Sequence, residues 1–86
     1  MNEKVQLENE ILKYLIEHPK AQDTLKGIVQ WWLLGRTIKN RTVKEVLDSL
    51  VAEGLIIAQQ GSDSQIHYKI NLRKRKRIIK RLQGKS

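Results

Sequence analysis

The sequence predicts an α+β domain, mainly helical, with three amphipathic helices, a two-stranded β-hairpin and a basic C-terminal helix or tail. Three observations carry this prediction. Apolar residues recur at helical spacing in three successive segments that end at Gly54. Two short runs rich in β-branched residues follow, separated by a polar loop around Gly61. Eight of the 17 Lys and Arg residues then crowd into the stretch after Asn71. With 86 residues, the chain has the length of one domain, divided into a body over 1–71 and a basic tail over 72–86.

The first helix is expected over residues 2–17, where Leu7, Ile11, Tyr14 and Leu15 share one face. Val5, Leu12 and Ile16 widen that stripe enough to serve both the core and a second subunit. His18-Pro19 stops the helix, because proline disfavours helical backbone in the residue before it. A short link leads to Asp23 or Thr24, either of which offers a side-chain cap for a second helix. Leu25, Ile28, Val29, Trp32 and Leu33 have buried-face spacing, and Gly35 marks the end. The third helix is expected over about 41–53, with Thr42 and Glu45 at capping-box spacing and Gly54 as C-cap. Its apolar stripe is Val43, Val46, Leu47, Leu50 and Val51. Residues 55–58 and 65–71 read as strands joined by a polar loop over 59–64. In the tail, Leu72, Ile78, Ile79 and Leu82 allow a further helix with one apolar edge.

Composition excludes several classes of chemistry. The chain has no cysteine, so disulfides, thiolate metal sites and a cysteine nucleophile are ruled out. His18 and His67 sit on different elements without the spacing of a metal site. No phosphate-loop or nucleophile–base motif occurs. We therefore expect a binding module with no catalytic residues, no metal, no cofactor and no small-molecule ligand. No stretch approaches the ~20 apolar residues of a membrane helix. Met1-Asn2-Glu3-Lys4 is followed by mixed polar residues instead of an apolar signal core. A cytoplasmic location is the expectation.

The formal net charge of +8 has an uneven distribution. Arg73, Lys74, Arg75, Lys76, Arg77, Lys80, Arg81 and Lys85 account for eight of the 17 basic residues. The nine that remain in 1–71 meet all nine acidic residues there, so the body is formally neutral. Long-range attraction to phosphate must come mainly from the tail. The run Arg73-Lys74-Arg75-Lys76-Arg77 reads as a phosphate clamp for DNA, with RNA left open, or else as a solvated, solubilising tail. Without Trp or Phe on its short apolar side, it is a poor membrane-surface helix.

The stretch from Thr42 to Ile56, TVKEVLDSLVAEGLI, resembles the recognition helix and first wing strand of winged helix-turn-helix domains. The Gly61 loop and the strand around Tyr68 resemble the wing, and the likeness covers about residues 5–71. The resemblance implies duplex DNA binding, with the third helix in the major groove. Lys39, Asn40, Arg41, Thr42, Lys44, Glu45 and Ser49 would face the bases. Arg41 and Lys44 suit guanine, Asn40 adenine and Glu45 cytosine. Ser62 and Ser64 would touch backbone from the wing, and the tail residues Arg73, Lys74, Arg75, Lys76, Arg77, Lys80 and Arg81 would hold phosphates. Two departures from the pattern stand beside this. The helix from Arg41 to Glu53 carries two basic and three acidic residues, and the loop over 59–65 has no Lys or Arg. The DNA reading is of a small transcriptional regulator, a homodimer on a twofold site. The departures keep open a second reading, a protein-interaction adaptor with a solubilising or acidic-partner-binding tail, and Tyr14, Gly27 and Trp31 are the expected dimer or partner surface. In that reading Gly27 admits a close helix and Trp31 covers it. Alternatively, Trp31 packs under the first or last helix of its own chain.

Overall fold

Four helices and a three-stranded antiparallel sheet make up residues 3–33 and 38–84, the part that the computed structural model describes. The elements are α1 (Glu3–Glu17), β1 (Gln22–Asp23), α2 (Leu25–Gly27), α3 (Asn40–Ala52), β2 (Ile56–Gln60), β3 (Ile66–Ile70) and α4 (Arg75–Gln83). A π-helical stretch, Ile28–Trp32, continues α2, and a 3-10 turn, Leu72–Lys74, leads into α4. The expected helix end at Gly35 lies outside the described residues, as do Asn2, Arg36, Thr37 and Lys85.

Each junction has a local cause. The Thr24 hydroxyl accepts the Gly27 N–H at 3.2 Å and caps α2, while Asp23 Oδ1 accepts the Thr24 N–H at 2.8 Å. The helix then widens, with the Leu33 N–H donating to the Ile28 carbonyl five residues back. In this winding Trp32 enters the core at 7% exposure and Trp31 stays out at 62%. At the end of α3, Gly54 takes φ +79°, a left-handed backbone conformation that favours glycine. The Gly54 N–H reaches the Val51 carbonyl at 2.9 Å and the Leu55 N–H reaches Leu50 at 3.0 Å, a Schellman closure. The capping box expected at Thr42 and Glu45 does not form. The helix begins earlier, at Asn40, its N-cap is Lys39 without a side-chain hydrogen bond, and Glu45 pairs with Lys4 instead.

The sheet corrects the expected two-stranded hairpin. Its order is β1-β3-β2, with Gln22 opposite Lys69 and Asp23 opposite Tyr68 on one edge of β3. On the other edge Ile56 pairs with Ile70 and Ala58 with Tyr68. The link between α1 and α2 therefore supplies a strand that fills the outer edge of β3. Tyr68, Ile70 and Ile56 point into the core, and Lys69 and Ile57 lie on the outer face.

The core gathers Leu7, Ile11, Leu12 and Leu15 of α1, Ile28 and Trp32, the stripe Val43–Val46–Leu47–Leu50 of α3, and Ile78 of α4. Ile78 is 0% exposed and Leu82 packs beside it, so the C-terminal segment shares the core of the body. Leu72, counted in the tail's apolar edge, is instead 60% exposed. Arg81 sits between two carboxylates, donating to Glu53 Oε1 at 2.7 Å and to Glu8 Oε1. Asn71 Nδ2 donates to the Gly54 carbonyl at 2.8 Å and ties the start of the segment to the end of α3.

Removing side-chain volume at Ile78 is expected to destabilise the fold by about 2–5 kcal/mol, the usual cost of a buried Ile→Ala change. Leu72→Ala is expected to stay within about 0.5 kcal/mol, as for an exposed position. Urea unfolding of both variants measures the contrast, and equal effects would mean that α4 is not part of the core.

Candidate nucleic-acid interface

The N-terminal turn of α3 presents Lys39, Asn40 and Arg41 fully to solvent. The Lys39 side chain does not cap this end, and the Thr42 and Val43 N–H groups donate to the Lys39 carbonyl at 3.0 and 3.2 Å, with the positive end of the helix dipole at this turn. Lys26, at the start of α2, is exposed beside it. Between α2, α3 and the start of β3 lies an open groove of about 470 Å³. Leu25, Ile66 and Tyr68 give it an apolar floor, with Lys26, Asn40, Lys44 and Gln65 as polar lining. Burial pushes the Tyr68 hydroxyl pKa up, so it stays protonated.

Further along α3, the charges are matched in pairs. Lys44 Nζ donates to both Asp48 oxygens at 2.9–3.0 Å, one helical turn on, and this pairing raises the lysine pKa. Glu45 lies 2.9 Å from Lys4 of α1, which holds its carboxyl below the usual range, with Arg41 adding a smaller effect. Thr42 and Ser49 are half-buried. Of the seven α3 positions expected to face bases, Lys39, Asn40 and Arg41 are therefore both exposed and outside the ion pairs described here. The pairs on Lys44 and Glu45 are solvent-exposed and weak, so an incoming phosphate or base can compete with them.

The β2–β3 loop is held by its own backbone. The Gly61 N–H donates to the Gln65 carbonyl at 2.8 Å, and the Ser64 N–H to Gly61 at 3.0 Å. Ser64 adopts φ +66°. Asp63 Oδ1 accepts the Gln65 N–H at 3.0 Å, and both its oxygens lie 3.2 Å from His67 Nε2. Ser62 and Ser64 are exposed at the tip, as expected, although the loop brings no cation with them.

The tail cations divide by face. Arg73, Lys76, Arg77 and Lys80 follow the i, i+3, i+4, i+7 spacing and are all exposed. Lys74 and Arg75 are exposed as well. Ile78, Arg81 and Leu82 lie on the inner side. Arg81, expected on phosphate, is instead held by Glu8 and Glu53 as a structural residue. Nothing in its sequence spacing signalled this, because its partners are 73 and 28 residues away.

The residues assigned to a partner surface also separate. Tyr14 stacks on Trp32, with ring centroids 4.9 Å apart, and meets the His18 ring at 4.4 Å, so it serves its own core. A Cβ at Gly27 would collide with the Asp23 carboxylate. The close approach at Gly27 is thus made by the chain's own Asp23, at the β1–α2 corner. Trp31 does not pack under α1 or α4 and remains exposed.

Among the described residues, no group of three or more His, Cys, Asp or Glu side chains could hold a metal ion. No helix among them is long and apolar enough to cross a membrane.

The Gln65 N–H and then His67 lower the Asp63 pKa. The folded value lies below the unfolded one, so the stabilisation is complete above the ordinary carboxylate range. It is lost as pH falls through the folded pKa. An NMR titration of the Gln65 amide should give a midpoint below that of a free aspartate. His67→Ala should move the midpoint partway up, since the larger backbone contribution remains. An unmoved midpoint would mean that His67 plays no part.

No family model, curated protein or solved structure matches this chain.

Proposed function

We propose that this chain is a small winged-helix DNA-binding protein. In this reading the N-terminal turn of α3 enters the major groove and the exposed cations of α4 supply backbone affinity. The observation that carries the reading is the exposed Lys39–Asn40–Arg41 turn, set beside Lys26 at the rim of an open groove. The positive end of a helix dipole with flanking cations suits approach to a polyanion. The element order supports the winged-helix arrangement. A short strand separates the first two helices and pairs with the second wing strand, as a third strand beside the hairpin. Arg41 has the reach and donors for a guanine edge, and Asn40 the amide for adenine. A homodimer reading a twofold site and a regulatory role in transcription extend the same proposal.

The exposed ring of Trp31 favours a second reading, a protein-interaction adaptor built on the same scaffold, since a solvent-facing tryptophan is an unusual surface residue and a frequent binding anchor. RNA is the other nucleic-acid partner open to the tail, because arginine-rich segments also bind it.

The test is fluorescence anisotropy on mixed-sequence and selected duplexes at several salt concentrations. Arg41→Ala should cost about 1–3 kcal/mol on a selected site and much less on random sequence. Lys76→Ala should weaken both equally and reduce the log–log salt slope by about 1. Loss of binding in Trp31→Ala, with Arg41→Ala silent, would replace this function with the adaptor.

A further inference from the structure

We infer that α4 and the adjoining sheet face form a second, separate duplex-backbone site, so that one chain joins two DNA segments. The inference rests on the proposed function for its first site and adds the second from position and charge. Asn71 is bonded to Gly54, and Arg81 to Glu53, which fixes the basic segment at the C-terminal end of α3. The DNA-facing turn proposed above is at the other end of a 13-residue helix, about 20 Å away at 1.5 Å per residue. That separation equals the length of the helix whose first turn would be inserted. A duplex seated on Asn40 and Arg41 therefore leaves part of the α4 surface free for a second one.

The second surface is fixed in shape. Ile78 is buried and Arg81 clamped between α1 and α3, so the opposite face of α4 is set toward solvent. Lys76, Arg77 and Lys80 lie along it and Arg73 precedes them in the 3-10 turn, a row of about 10 Å, three base-pair steps of one strand. Beside Arg73 an open groove of about 430 Å³ crosses the outer face of the sheet, lined in part by Lys20, Gln22, Lys69 and Asn71. Lys20 and Lys69 extend the cationic stripe onto the body. None of these six cations has an ion pair described here. The surface offers no rigid set of base-reading donors, so the ligand is backbone phosphate and the recognition sequence-independent.

The experiment uses the full chain and two pools of short duplexes, one labelled with an energy-transfer donor and one with an acceptor. Wild type should produce transfer that rises with protein and falls again in excess, as each duplex acquires its own protein. Arg73→Glu/Arg77→Glu should abolish transfer and weaken single-duplex binding, with a salt slope shallower by about 1.8, while the preference for a selected site is kept. Asn40→Ala/Arg41→Glu should also abolish transfer, yet keep salt-steep, sequence-blind binding. Circular dichroism checks that both variants fold. Binding in both variants without any transfer in wild type would leave the DNA reading intact and overturn bridging. Transfer that survives Arg73→Glu/Arg77→Glu would come from paired copies and would also overturn it. If the α3 variant matches wild type in affinity and preference while the α4 variant binds nothing, the first site itself fails and α4 is the sole site.

Discussion

The docking of α4 through Ile78 and Arg81 is the constraint from which the rest of the molecule's surface follows. A run of cations next to a neutral body would ordinarily fray into solvent, because like charges along a helix repel and few apolar contacts oppose them. Here one isoleucine is fully buried, and one arginine is placed between Glu8 and Glu53, from two different helices. The two carboxylates compensate the one cation that turns inward, and the remaining cations are left on the outside. The same contacts link α1, α3 and α4, so the basic helix reports on the integrity of the core.

Much of the fold was legible because apolar periodicity is a direct record of burial. Leu7, Ile11 and Leu15 of α1, the stripe Val43–Val46–Leu47–Leu50 of α3, and Tyr68 and Ile70 are inside, whereas Val5 and Ile66, at element ends, are exposed. β1 was not legible, and the reason is physical. Gln22 and Asp23 have neither strand propensity nor alternation, and they are extended only because β3 offers them an edge. The widened turn at Ile28–Trp32 was equally silent, since a helical stripe reads almost the same whether one hydrogen bond skips to the fifth residue or not.

The candidate site was legible in residue type and less so in partnership. Exposure of Arg41, Asn40, Arg73, Lys76, Arg77 and Lys80 follows from their position opposite apolar stripes. The pairing of Glu45 with Lys4 and of Arg81 with Glu8 and Glu53 depends on how helices cross, which spacing along one helix does not encode. Gly27 illustrates the same limit. Its spacing from Trp31 suggested a partner, whereas the group that comes closest to it is the Asp23 carboxylate of the same chain.

The net charge of α3 does not by itself oppose entry into a groove. Charge acts on DNA through the groups that are free to meet it, and on α3 the acidic side chains are largely spoken for. Asp48 is bound by Lys44, Glu45 by Lys4 and Glu53 by Arg81. The first turn is thus left as the electropositive end of an otherwise compensated helix, with its dipole adding to Lys39 and Arg41. A face of this kind provides little long-range attraction but discriminates at contact. In the proposed function, affinity and selectivity would reside at different ends of the molecule, the first in the exposed stripe of α4 and the second in the turn around Asn40.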